Sequence, residues 1–406
     1  MQKYILFFLT ALLISCSNNQ KQKSRFSEEQ ISSLQLDSTK ILTTEIDSLI
    51  KVDLNPFLQK QHFDFGSLIK EVRLVPLETT DESLVDDILK ILVTEQYIYI
   101  MDDFKGSGIA IFDKNGKFVK RIPHGQGPGE LYRLYDIAYD AENNELIAYQ
   151  HPYLIFYTSS GIFLRQKKLP FGFYNFTVIP SGYIFKTLDR QGNGHLEHLE
   201  DYTLFITDKE FRLNSVGLFY SPKGSIRGGY NYLYNNGNTI TITQGYTDTI
   251  YQFIRETNTL KAKYVLDYSK KKLPESYLYL DAYSKFNSIV RQNDYYFYIG
   301  EKLDTEYQTV FFLMNDYIGL KTIIYMDKLT GHLIGGTNAD FNMNEIPSIG
   351  FPSAVSGNYF ISVHLSNEND SFLSNSSIIT EEDKKKIKSL TEDNNPVLVF
   401  FQLKNF

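Results

Sequence analysis

The feature that most constrains this chain is a hairpin that recurs. From Ile109 to Ile122, apolar residues alternate on either side of Asp113-Lys114-Asn115-Gly116. An Asn-Gly pair between alternating runs is a strong hairpin signal, because its turn needs positive φ, which Asn and Gly tolerate. Thr158-Ser159-Ser160-Gly161 repeats the turn, with Gly161 standing 45 positions after Gly116. That spacing is close to the period of one propeller blade. Asp327-Lys328-Leu329-Thr330-Gly331 is a further turn of the same kind. Small sheets repeated in this way bury their apolar faces against one another, and a closed ring leaves few exposed edges.

Around these turns the alternation gives six groups of short strands. The first takes 88–93, 97–101, 109–112 and 117–122, and the second 134–139, 145–149, 154–158 and 162–168. The third takes 176–179, 183–187, 202–207 and 211–219, with a His/Gly-rich insertion at 189–200. The fourth covers about 230–266 and the fifth 288–334. The sixth has two strands around Gly357, a polar insertion at 378–390 that opens like a helix on Thr380-Glu381-Glu382-Asp383, and a last strand at 397–403. One strand is missing there, and 68–77 is a strand without a group at the other end of the chain. The expectation is an all-β chain: a six-bladed β-propeller of four-stranded antiparallel blades over residues 48–406, closed by an N-terminal strand joining the last blade. A β-sandwich or two stacked β-domains is the rival architecture. The 30 Tyr and 30 Phe read mainly as sheet core and inter-sheet packing.

The first residues give an address. Lys3 is a short positive region, and Tyr4 to Ile14 is an apolar run of signal-peptide length, too short to span a bilayer. It ends at Leu13-Ile14-Ser15-Cys16, which resembles a bacterial lipoprotein signal. Residues 1–15 are read as the signal peptide, Cys16 as the lipidated residue, and 16–47 as a polar tether. Cys16 is the only cysteine, so no disulfide forms within the chain. The membrane is therefore an expected partner, reached through lipid. The formal charge of −7 grows by one negative unit when Lys3 leaves. A mildly acidic chain without a basic cluster argues against nucleic acid.

Three motifs in combination carry a family resemblance: Val75-Pro76-Leu77-Glu78-Thr79-Thr80, Ile111-Phe112-Asp113-Lys114-Asn115-Gly116-Lys117-Phe118, and Gly125-Gln126-Gly127-Pro128-Gly129-Glu130. With them the chain resembles the six-bladed β-propeller lipoproteins of Gram-negative bacteria, relatives of the NHL-repeat propellers. The resemblance runs from about residue 50 to 403 and implies the fold and an outer-membrane address, facing either the periplasm or the cell surface. It implies no activity, since propellers host many functions. The chain departs from the family's pattern at Pro123-His124.

Propeller geometry sends the second-to-third-strand loops and the blade-to-blade links to one face, which collects Asp102, Asp103, His124, Gln126, Glu130, His151 and Tyr153. These are the candidate ligand-binding residues, with Tyr132, Tyr135 and Tyr153 able to stack on sugar rings. Gly125 to Glu130 reads either as a backbone cradle or as a link whose glycines and proline meet sharp dihedrals while Glu130 caps neighbouring amides. No cofactor is expected. Calcium or another divalent ion is weighed at Asp102-Asp103 and at His195/His198, the latter a pair only if helical. No Gly-x-Ser-x-Gly elbow is present. Two functions follow: a binding or scaffold lipoprotein for a glycan, peptide or partner protein, and a channel-centred, metal-assisted hydrolase or lyase. Three or more clustered Asp, Glu, His or Asn side chains at the channel would favour the second; an apolar or Tyr lining would favour the first.

Overall fold

The computed structural model describes residues 25–58, 65–102, 108–187, 192–219, 231–236, 239–279, 283–315, 321–337, 350–365 and 377–406. Six four-stranded antiparallel sheets stand in a ring. Blade 1 is Ile88–Val93, Tyr97–Asp102, Gly108–Asp113 and Phe118–Ile122. Blade 2 is Asp136–Asp140, Glu145–Gln150, Tyr153–Thr158 and Phe163–Lys168, and blade 3 is Asn175–Ile179, Gly182–Lys186, Tyr202–Asp208 and Leu213–Phe219. Blade 4 is Leu233–Asn236, Thr239–Ile242, Thr249–Ile254 and Thr259–Asp267, and blade 5 is Phe297–Asp304, Gln308–Met314, Lys321–Asp327 and Leu333–Thr337. The first strand of each is innermost, and each inner strand touches the next, with that of blade 6 returning to blade 1.

Blade 6 holds Ala354–Ser356, Tyr359–His364 and Val397–Leu403, and takes its outer strand, Ile69–Pro76, from the other end of the domain. The pairing runs from Val397 opposite Pro76 to Leu403 opposite Ile69. Asn395, buried just before the last strand, fastens the link that follows. Its Oδ1 accepts the amide of Val85 at 2.9 Å, and its Nδ2 donates to the carbonyls of Glu78 at 2.7 Å and Ser83 at 2.9 Å. One side chain thus satisfies three backbone groups that the crossing between chain ends would leave buried and unpaired.

The core is divided between blades rather than gathered at a centre. Val75, Leu398 and Phe400 of blade 6 meet Ile98, Ile100 and Phe112 of blade 1. Tyr99 and Ile111 of blade 1 meet Leu146, Ile155 and Tyr157 of blade 2. Tyr149 and Phe156 meet Phe176, Phe185 and Phe205 across the next gap, joined by Phe171 and Phe173 of the link. The pattern continues between blades 3 and 4, 4 and 5, and 5 and 6. Each fully buried Phe contributes roughly 1.5–3 kcal/mol, so every interface depends on both of its blades being folded.

The recurrent turn has a common physical basis. In blade 1, Asp113 Oδ1 accepts the amides of Asn115 at 2.8 Å and Lys117 at 3.0 Å, and Gly116 takes φ +86°. In blade 5, Asp327 Oδ1 accepts those of Leu329 and Thr330, with Gly331 at φ +73°. Asp208 does the same for Glu210 and Arg212, which makes Phe211 a turn residue and starts the fourth strand of blade 3 at Leu213 rather than at 211.

Two other expectations differ from the structure. Of the polar stretch 16–47, residues 25–47 lie along the ring instead of reaching away from it; the lipidation position Cys16 lies outside the described residues. Phe26 and Leu34 are buried. Lys40–Ile41 pairs in parallel with the outer strand of blade 3, and Thr44–Glu45 and Ile50–Asp53 pair in parallel with that of blade 4. This strap covers two sheet edges, which explains why a polar segment stays down: its backbone supplies the missing hydrogen bonds. The sequence pattern starts the fifth group at Ser288, but Tyr283–Asn293 is a helix in the link between blades 4 and 5. Phe286 and Val290, four apart, bury one face of it against Phe297 and Met314. The insertion before the last strand is the helix Glu381–Lys388, capped by Thr380 through the amide of Asp383.

Gly116→Ala is expected to destabilise the domain by at least about 2 kcal/mol, since it combines a left-handed residue with a methyl 2.1 Å from the Pro76 carbonyl oxygen. Thermal unfolding of the variant checks this, with Gly331→Ala, where a methyl meets nothing within 4 Å, as the comparison for the backbone cost alone.

Candidate functional site

The inner strands set what the channel wall can do. Asp136, the first residue of the blade 2 inner strand, is buried and engaged on both oxygens. Oδ1 holds the Lys90 ammonium of blade 1 at 2.6 Å and its neighbour's amide at 2.9 Å, and Oδ2 accepts the Phe176 amide of blade 3 at 2.9 Å. Asn175 begins the next inner strand and accepts the Tyr232 amide ahead of blade 4 at 3.1 Å. The Tyr234 hydroxyl then accepts the Lys302 amide of blade 5 at 3.2 Å. These polar groups hand one blade to the next. Among the described residues no group of three or more His, Cys, Asp or Glu could hold a metal ion.

The residues expected at a ligand rim fall into several places. Asp102 is buried against Arg121, Nη1 to Oδ2 at 3.1 Å, and accepts the Asp86 amide at 3.2 Å. The same guanidinium donates to the carbonyls of Glu82 and Leu84, so this pair moors the link into blade 1. Asp103 lies outside the described residues. Glu130 turns onto its own loop, where Oε2 accepts the Gly127 amide at 2.7 Å, and Gly125 and Gly127 leave room for the carboxylate. Gln126 and His124 are exposed, the imidazole resting near the ring of Tyr132 at 5.7 Å. Tyr153 sits in the third strand of blade 2, opposite Gln150 and Lys168.

His151 is part of a packed cluster. Its Nδ1 bonds the Tyr149 hydroxyl at 2.9 Å, and Tyr149 stacks on Phe173 with centroids 3.6 Å apart and touches Tyr135 at 5.5 Å. Burial pushes the imidazole down to about 4, so it is neutral at physiological pH. His195 and His198 do not form a helical pair. Residues Gly194–Asp201 make 3₁₀ turns broken at Glu197, and the His195 Nε2 bonds the Pro170 carbonyl while its ring packs on Phe26 at 5.2 Å.

Sequence reading missed two features. The first is Lys186 at the end of the second strand of blade 3, with no exposed surface. Its ammonium donates to the Thr187 carbonyl at 2.8 Å and has no carboxylate partner among the described residues. Burial lowers its pKa to about 7. The second is a cleft of about 600 Å³ on the linker face, between blades 3 and 4. It is walled by Tyr202, Leu218 and Phe219 of blade 3, by Gln244, Tyr246 to Thr249, Tyr251 and Val265 of blade 4, by Leu42 and Thr44 of the strap, and by Lys272. Lys272 pairs with Asp248 Oδ2, and the Tyr268 hydroxyl donates to Asp248 Oδ1 at 2.9 Å. Several separate stretches of chain make this cleft, so no local motif announces it.

Six blades, an outer strand borrowed from the opposite chain end and polar groups passed from one inner strand to the next define a six-bladed β-propeller. The chain belongs to the family described as a domain of unknown function, DUF4934, which matches residues 49–402. No curated protein matches it. Among solved structures it is similar to a Bacteroides fragilis protein described as exported, at 19% identity and a TM-score of 0.71, over 88% of this chain and 100% of that one. At that identity the likeness is one of fold. Weaker likenesses are to a protein of unknown function from Bacteroides caccae (11% identity, 63% of this chain and 84% of that chain, TM-score 0.37) and to the extracellular domain of a one-component system from B. thetaiotaomicron (13%, 66% and 29%, TM-score 0.34).

The lysine gives a prediction with a definite sign. Below pH 7 Lys186 is protonated in both states and the folded state carries the burial penalty. Between about 7 and 10.5 the unfolded chain holds the extra proton, so stability rises with pH; above that window the penalty is gone. Lys186→Met is therefore expected to stabilise the protein by on the order of 3 kcal/mol at pH 6, and by much less at pH 10. Denaturant unfolding of both proteins across that range checks it.

Proposed function

We propose that this chain is a lipid-anchored, non-catalytic binding protein of the bacterial cell envelope, held at the outer membrane through Cys16. The observation that carries the binding role is the cleft on the linker face, where the strap and loops of two blades converge on a concave, polar and aromatic surface of small-molecule size. The channel supports the same reading. Among the polar residues described on the inner strands, Lys90, Asp136 and Asn175 are engaged in joining blades. The address is supported by the apolar run ending at Cys16 and agrees with the description of the Bacteroides fragilis relative as exported.

Two measurements test this. Replacing Cys16 by Ala is expected to abolish incorporation of labelled palmitate and to move the protein from the membrane fraction to the soluble one; continued membrane association would overturn the anchor. For the binding role, Thr249→Trp is expected to fill the cleft without disturbing the core. Thermal-shift screening of the soluble Cys16→Ala chain against envelope glycans and peptides should yield ligands that stabilise it and that the Thr249→Trp form no longer recognises. Ligands that stabilise both equally would place binding elsewhere.

A further inference from the structure

The cleft carries an inference that rests on the binding reading above and narrows it. We propose that it is a carbohydrate site, taking a short neutral oligosaccharide. The first ground is an aromatic platform. Phe219, at the end of the outer strand of blade 3, is 66% exposed, and Tyr202 braces it edge-on with centroids 5.7 Å apart. A ring held in one orientation and left open to solvent offers an apolar face at little entropic cost, which suits the C–H face of a pyranose.

The second ground is the arrangement of polar groups. Gln244, Thr247 and Thr249 are partly exposed along the wall and supply both donors and acceptors. Asp248 and Lys272 are already paired, with the Tyr268 hydroxyl fixing the other carboxylate oxygen, so they are oriented before any ligand arrives. An acceptor and a donor set side by side match adjacent hydroxyls on a sugar. Their charges cancel, which leaves the cleft without the net charge that a phosphate or an acidic peptide would need.

The third ground concerns the competing ligand. One common way to hold an extended peptide is to add it as a strand to an open sheet edge, where main-chain hydrogen bonds supply affinity. Near this cleft the strap pairs with the outer strand of blade 3 at Ser215 and Val216 and with that of blade 4 at residues 260–261 and 264–267, which leaves little free edge. A ligand here must be held by side chains, and the wall provides them. Leu42 and Thr44 of the strap belong to that wall, so an occupied cleft also presses the strap against the ring.

The test uses the soluble chain carrying Cys16→Ala and an array of neutral hexasaccharides: cellohexaose, maltohexaose, xylohexaose, mannohexaose and laminarihexaose. At least one is expected to bind with a Kd below about 1 mM by calorimetry, and Phe219→Ala or Asp248→Asn is expected to weaken it by about tenfold or more, while Phe219→Tyr retains it. Amide exchange across residues 40–45 is expected to slow in the complex. No binding of any hexasaccharide, or binding that neither variant changes, would overturn the carbohydrate assignment. If tripeptides bound instead in a Phe219-dependent way, the sugar class would fall and the binding function would stand. If neither class bound in a way that cleft substitutions altered, both would fall.

Discussion

The pairing of Ile69–Pro76 with Val397–Leu403 is the constraint on which the rest depends. Without it, blade 6 has three strands, Val397–Leu403 becomes an open edge, and the interface between blades 6 and 1 loses Val75 and Leu77. Closure is also what gives the inner polar groups their purpose. Asp136 can serve three blades at once only because those blades are held at a fixed angle around an axis. A buried carboxylate with each oxygen satisfied is tolerated, whereas the same group in a splayed ring would be an unpaired charge.

From that frame the asymmetry of the molecule follows. Blades 3 and 4 carry the strap on their outer edges, and blade 4 passes to blade 5 through a helix. These additions are confined to blades 3, 4 and 5 among the described residues. Repetition builds the ring, and departures from repetition build the cleft. The strap has a double role there, since it closes sheet edges that would otherwise invite foreign strands and supplies two residues of the wall.

Much of the ring was legible in the sequence because its signals are local. Gly116, Gly161 and Gly331 mark turns that need positive φ, and the strands beside them alternate with period two. The orphan strand near residue 70 could be assigned by counting alone. What was not legible depends on partners far along the chain. Phe26 and Leu34 look incidental in a polar stretch, yet Leu34 joins the core beside blade 3 and Phe26 is buried against His195. The helix at Tyr283–Asn293 has a four-residue apolar spacing, Phe286 to Val290, that aromatic-rich surroundings obscured. At the eye-catching Gly125–Glu130 loop, the pattern of glycines reflected the space Glu130 needs. The cleft was invisible for the same reason: Phe219, Asp248 and Lys272 share no local pattern.

The borrowed strand has a consequence for how the molecule comes into being. A ribosome delivers Pro76 about 320 residues before Val397, its partner in the finished sheet. Blades 1 to 5 are each built from strands consecutive in the chain, so blade 6 alone requires both ends. The final act is thus a long-range docking event whose entropy cost falls at the very end of biogenesis. A chain lacking Val397–Leu403 would leave Ile69–Pro76 without the strand it pairs with, and the last blade could not be completed.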